Sequence, residues 1–379
     1  MHFSKWEDSI AAACNPLKTR CMTPCNILVV NPKDYLTQVA VYQNHKLLYM
    51  ISRKHSAGEL SVFSSIYDQV QFRKESVIRE LTHNEFKLDE LKIVISRGGL
   101  IKPVQSGVFA VNALLKKDLS HSPVGEDIIN IGGLLADAIA SEVPGAVAMI
   151  ADPTVVDEFH DLARITGSPE IRRKSIFHAL NQKAVAKMHA ETHKRKYEEM
   201  NLIVAHMGNG TTVGAHRRGR VIDVNQGFEG DGPFSMVRSG SLPMGDVVKM
   251  CFSGEKTLDE MLCLLTHCGG VFAYLGTRDI SDIEARINNG DEHAKLIMEA
   301  MAYQVSKCIG EMFAVLKGDA DAILITGDLA HSQFVVQHII ENVEKFAPIF
   351  LYPGDNELQS MAANALRVLK GEMTVQEYK

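Results

Sequence analysis

The chain has 379 residues and a formal net charge of −6, with acidic and basic residues interspersed. That pattern argues against a nucleic-acid groove or an anionic membrane surface as partner. Apolar residues make up 46% and aromatics only 7%, a balance that fits a soluble α/β enzyme. The length exceeds the size at which a single core stops growing, so two domains are expected. No apolar run reaches bilayer-spanning length and the N-terminus has no signal-peptide core, so a cytoplasmic protein is expected.

Residues 1–25 show no clear period and read as an N-terminal extension. From Asn26 the chain reads strand, turn, strand, turn, strand as far as Tyr49. Residues 58–90 carry many charges among apolar residues at helical spacing, a surface helical region. Leu91–Ile95 is a buried strand that ends in Ser96-Arg97-Gly98-Gly99, where an arginine is placed to grip a small anion. Asp127–Glu142 is an amphipathic helix. Ala146–Ile150 is a strand ended by Asp152-Pro153, and residues 170–200, including His178, are helical. Asn201–Val224 is a second three-stranded meander whose first turn is Gly208-Asn209-Gly210, followed by Thr211. The missing Cβ atoms let the main chain come close to a ligand, and successive N–H groups there favour a phosphate. A glycine-rich loop then carries Arg238. Helices follow at about 257–267 and 291–317. Strand Ala322–Thr326 turns through Gly327-Asp328-Leu329 into a helix, a junction that can seat adenosine or phosphate. Ile349–Tyr352 and a last helix through Leu369 close the chain. Taken singly, each motif has a plainer reading: an ordinary hairpin at 208–210, a surface ion pair for Arg97, a routine Asp-Pro turn, a core histidine at 178. The seven cysteines match no zinc spacing and read as free thiols, with neither metal nor disulfide assigned.

The two meanders align without a gap at an offset of 175, Asn26 on Asn201, Thr37 on Thr212 and Ala40 on Ala215. This argues for an internal duplication with a ligand held between the halves. The turns differ, however. Lys33 and Tyr35 stand where the second copy has Gly208 and Gly210, and Asp34 stands where it has Asn209. A carboxylate there repels phosphate, although Lys33 restores some attraction as a point charge.

The stretch from Ile27 to Gly371 resembles the acetate and butyrate kinases of the actin-like, sugar-kinase-like ATPase superfamily, and butyrate kinase more closely. The motifs are Ser96-Arg97-Gly98-Gly99, Asp152-Pro153, SIFHALNQKAVA from Ser175, HMGNGTTVGAH from His206, EGDGPFSMVRSGSLP from Glu229, TGDLAHS from Thr326 and YPG from Tyr352. The resemblance implies an α/β protein of two duplicated ribonuclease-H-like (actin-like ATPase) domains with mixed sheets and an interdomain cleft. The first would span 26–152, with helix 355–371 returning to it; a helical connection would fill 153–199, and the second domain would span 200–354. It implies phosphoryl transfer between ATP and a short-chain carboxylate, with Mg²⁺, in a homodimer. Arg97, Asp152, His178 and Arg238 would be catalytic. His206, Gly208, Asn209, Gly210, Thr211, Asp279, Gly327 and Leu329 would hold nucleotide, and Asn31, Asp152 and Glu357 would hold metal.

Three departures stand out. The relatives' glycine, hydroxyl run and lysine after Asn31-Pro32 are replaced by Lys33-Asp34-Tyr35-Leu36-Thr37-Gln38. Their second adenosine-loop glycine is Asp328, and the arginine of their Asp-Ala-Arg element is Ser281. The alternative is therefore a catalytically impaired paralogue that binds a carboxylate or acyl phosphate.

Overall fold

The computed structural model describes residues 25–379; the N-terminal extension, including Cys14, Cys21 and Met22, lies outside the described residues. Two mixed sheets form its frame. The first has the order β3-β2-β1-β4-β6-β5, built from Asn26–Lys33 (β1), Leu36–Gln43 (β2), Lys46–Lys54 (β3), Leu91–Arg97 (β4), Val108–Ala110 (β5) and Val147–Ala151 (β6). The second has the order β11-β10-β7-β8-β9, from Asn201–Met207 (β7), Thr211–Arg217 (β8), Arg220–Val224 (β9), Ala322–Gly327 (β10) and Ile349–Pro353 (β11). In each sheet a meander's first strand pairs antiparallel with its second, and parallel with a strand that returns after a helical crossover. That shared topology is the duplication seen in the sequence. The pairing slips by one residue between copies: Asn26 faces Gln43, but Asn201 faces Arg217. The cause is the turn. Lys33 pairs with Leu36 around two residues, whereas Met207 pairs with Thr211 around three.

Both faces of each sheet are covered, which is why the central strands read as unbroken apolar runs. Ile27, Val29, Ile93 and Ile95 pack on Leu358, Met361 and Ala365, while Leu28, Val30 and Val94 pack on Val77, Leu81, Leu135 and Ile139. The helices involved are α1 (Gln69–His83), α3 (Ile131–Ala140) and α11 (Glu357–Leu369), with α2 (Ala113–Ser120) beside them. So the last helix does pack against the first sheet. On the second sheet, Leu202, Val204 and Leu324 meet Val185, Ala186 and Ala190 of α4 (Ala179–Thr192). The opposite face meets α9 (Glu292–Val315) and α10 (Gln333–Val343). Four helices were not anticipated: α2, and α5 (Met244–Phe252), α7 (Gly270–Leu275) and α8 (Ile280–Asn288) around the expected α6 (Leu258–Thr266).

Two expectations need correction. Residues 170–178 are irregular rather than helical, so His178 stands immediately before α4 and not inside a helix. Tertiary bonds outcompete the local pattern there: Arg173 bridges Asp223 (2.7 Å) and Asp231 (3.1 Å), and the Phe177 N–H donates to the Thr154 carbonyl. The thiols are not all free. Cys263 and Cys268 form a disulfide across a Cα–Cα distance of 5.3 Å, because the chain leaving α6 folds back until the Cys268 N–H reaches the Cys263 carbonyl. Cys25, Cys251 and Cys308 are free.

Candidate active site

The C-terminal ends of β1, β4, β7 and β10 converge on one cleft, the usual place for a ligand in an open α/β sheet. Its volume is about 210 Å³ and its lining includes Arg97, His178, His206, Arg238 and the whole Gly208–Gly210 turn. The two arginines and the glycine turn therefore meet.

The turn is shaped from behind. The Asn209 carbonyl accepts from the Val237 N–H and the Ser235 hydroxyl, so the trans peptide directs the Gly210 N–H the other way. Gly210 is glycine for a second reason: a Cβ there would fall on the Arg238 guanidinium. Arg238 is itself half-buried over the Phe228 ring, 5.6 Å from its centroid, and donates to the Gly227 carbonyl. Its Nε has no partner. Burial pushes its pKa down, with Asp127 pulling the other way. A half-buried cation with an unpartnered donor is a site prepared for an anion.

Behind the cleft a hydrogen-bond chain sets the histidine. Gln182 Nε2 donates to the Thr212 carbonyl (3.0 Å) and hydroxyl (2.8 Å), which fixes its amide orientation, and its Oε1 accepts from His216 Nε2 (3.0 Å). The Thr212 hydroxyl then has its own proton for His178 Nδ1, 2.9 Å away. On that assignment His178 keeps its proton on Nε2. Burial, then the neighbouring His206, Arg238, Arg97 and Lys33, hold its pKa well below the ordinary value, so it is a neutral donor. His178 stacks on His206 at 3.8 Å between centroids, and His206 Nδ1 meets Asn181 Oδ1 at 2.9 Å.

On the opposite wall, Arg97 forms an ion pair with Glu357 Oε1 at 2.7 Å, and Asn31 Nδ2 donates to Glu357 Oε2 at 2.8 Å. Asn31 Oδ1 is buried without a partner. This oxygen beside a carboxylate fits a hard cation such as Mg²⁺, which needs few protein ligands. Among the described residues, no group of three or more His, Cys, Asp or Glu side chains is arranged to hold a metal. Asp152 does not line the cleft; its Oδ1 accepts from Ser106 Oγ (2.6 Å) and the Gly107 N–H (2.9 Å).

Comparison with known proteins decides the family. Residues 164–366 match the model of the acetokinase family. Butyrate kinase 2 of Clostridium acetobutylicum is 45% identical over 353 residues, covering 93% of this chain and 99% of that protein. A probable butyrate kinase of Bacteroides thetaiotaomicron is 44% identical over 355 residues, with the same coverage. The chain belongs to the acetokinase family. Its fold is that of Porphyromonas gingivalis acetate kinase, with a TM-score of 0.74 at 16% identity over 91% of this chain and all of that one. A propionate kinase of Francisella tularensis gives 0.71 at 17% identity over 89% and 98%.

The remaining expected nucleotide residues divide. The Thr211 hydroxyl is buried and unpartnered. Gly327 has φ 88° and lies against the Met207 backbone, with no room for a side chain; its neighbour Asp328, not Gly327 itself, lines the cleft. Leu329 is a core residue of the second sheet, and Asp279 is exposed and caps α8 through the Ser281 N–H. Neither lines the cleft; Asp328 and Arg278 do. Arg278 thus brings a guanidinium to the cleft although Ser281 stands where the relatives carry arginine.

Proposed function

We propose that this acetokinase-family protein transfers a phosphoryl group between ATP and a short-chain carboxylate, butyrate or a similar branched acid, giving an acyl phosphate. The observation carrying this reading is the convergence of Arg97, Arg238 and the neutral His178 on the glycine turn. Arg97 and Arg238 orient the carboxylate and offset charge on the transferring group, while the His178 Nε2–H donates to its oxygens. A carboxylate is already ionised, so no general base is required. Apolar Leu100, Ile129, Ile176 and Phe228 line the same cleft and favour an alkyl chain over acetate. Mg²⁺, which neutralises phosphate charge when bound, would be held by Asn31 and Glu357; Asp152, outside the cleft lining, would order the Ser106–Gly107 segment beside it. The nucleotide would lie along His206–Thr211 and the Gly327 junction. The impaired alternative rested on Lys33-Asp34-Tyr35, and the bracing of that turn, described below, gives it no support. A hydroxamate trap with ATP, Mg²⁺ and C2 to C6 acids should give most product with four- and five-carbon acids. No acyl phosphate with any acid at high enzyme would overturn the reading.

Two domains, 26–152 with 355–371 and 200–354, joined through 153–199, would close over the ligands and expel water. No helix among the described residues is long and apolar enough to cross a membrane, in keeping with a cytoplasmic place. For the homodimer, the support is an uncovered apolar stripe: Met244, Val248 and Phe252 follow one another at helical spacing on α5, and Leu258 and Leu262 on α6, all exposed. A second copy of this chain is the proposed occupant. Light scattering should give twice the 41.8 kDa chain mass; a monomer at micromolar concentration would rule the dimer out.

A further inference from the structure

The turn that looked eroded in sequence is built with care. Arg73 of α1 is fully buried, and apart from Gln69 its guanidinium serves only the first turn. It donates to the carbonyls of Lys33 (3.0 Å), Asp34 (2.8 Å) and Leu36 (3.0 Å), and to Thr37 Oγ1 (3.0 Å). With the Lys33 and Asp34 carbonyls drawn to Arg73, the trans peptides turn the Asp34 and Tyr35 N–H groups away from it. Neither N–H donates to another described residue. Across the cleft, Ser235 and Val237 grip the Asn209 carbonyl to the same effect. The two halves reach one arrangement by different chemistry, a buried guanidinium standing in for a loop.

Lys33 and Asp34 line the same cleft as Gly208 and Gly210. The Lys33 ammonium is 3.3 Å from Asp355 and 4.0 Å from Glu357, and its side chain is 36% exposed. Asp355 in turn lies 3.6 Å from His206 Nε2. A half-exposed pair of this kind holds weakly and gives way to a polyanion. The Asp34 side chain is exposed, where water and salt screen its charge from a phosphate in the cleft.

We propose that Lys33 is the phosphate ligand of the first turn: parked on Asp355 in the free protein, it transfers to the nucleotide's terminal phosphates, with Arg73 as the residue that positions it. A lysine stem reaches a phosphate without the close backbone approach that glycine permits on the other side. This rests on ATP being the donor. The test is calorimetric titration of the full chain with Mg-ATP and with AMP, for wild type, Lys33→Met and Lys33→Arg. Lys33→Met should weaken Mg-ATP binding about ten- to hundredfold, leave AMP binding within twofold, and leave the KM for butyrate within threefold. Lys33→Arg should recover most of the loss. Mg-ATP binding by Lys33→Met at wild-type affinity would overturn the proposal, as would equal losses for ATP and AMP. Wild-type protein that binds no Mg-ATP overturns the donor reading instead, a different result. Circular dichroism on both variants separates a folding defect from a binding one.

Discussion

Gly210→Ala is expected to lower kcat by about 10²- to 10³-fold, the loss that follows when one preorganised donor at a reacting centre is displaced. The methyl group falls on the Arg238 guanidinium. Something has to shift, and a glycine turn held by Ser235 and Val237 is stiffer than an arginine side chain. Arg238 then leaves the position from which it faces the anion. The cost in stability is smaller, about 1–3 kcal/mol for an overpacked site. Gly208→Ala provides the contrast. A Cβ there meets only His206 Nε2 at 3.7 Å and the Gly210 carbonyl at 3.9 Å, ordinary contact distances, so its loss should be at least tenfold smaller. Steady-state rates for the two variants, with melting curves for each, check this. Equal losses would mean that the backbone of the turn matters and the Arg238 contact does not.

Arg73→Met is expected to destabilise the protein by about 2–4 kcal/mol, a fall of roughly 5–15 °C in melting temperature. Two effects oppose one another. Removing a buried cation relieves desolvation, and burial already lowers the Arg73 pKa to about 10; it stays charged at neutral pH, so that relief is real. Against it stand three carbonyls and Gln69 Oε1, which lose their Arg73 donors, while the Thr37 hydroxyl keeps His55 Nε2 at 2.9 Å; each group that water cannot reach costs about 1–3 kcal/mol. The second effect wins because several groups are orphaned at once. Lysine at 73 should not restore stability, since a point charge cannot serve four acceptors in a planar fork. Differential scanning fluorimetry decides: a melting temperature within 2 °C of wild type would show that the turn holds itself.

Much of this frame could be read from the residues. Ile27–Val30, Leu91–Ile95, Leu202–Ala205 and Ala322–Thr326 are unbroken apolar runs because both faces of each sheet are covered, and Asn31-Pro32, Gly98-Gly99, Gly208-Asn209-Gly210 and Gly327 mark where those strands end. Arg97, His178, His206 and Arg238 were legible through the resemblance to the acetate and butyrate kinases, and they line one cleft. What stayed hidden depends on direction, which sequence does not carry. Arg73 sits among the charges of an exposed-looking helix, and nothing in QFRKE says that this one cation turns inward. Leu329 and Asp279 occupy motif positions, yet the first faces the core and the second a helix end. At residues 170–178 the helical pattern was genuine but weaker than the bonds of Arg173 to two aspartates. The Cys263–Cys268 bridge depends on a fold-back after α6 that has no signature in the spacing of the thiols.

The packing of α11 against β1 and β4 bears on how the protein is made. Ribosomes deliver β1 more than three hundred residues before Glu357–Leu369 emerges, so the first sheet waits with one apolar face uncovered through nearly the whole of synthesis. The sheet of residues 201–353 draws its covering helices from its own neighbourhood and can condense earlier. The half translated first is thus the half completed last, and the interval between the two is when a nascent chain of this kind most needs a chaperone.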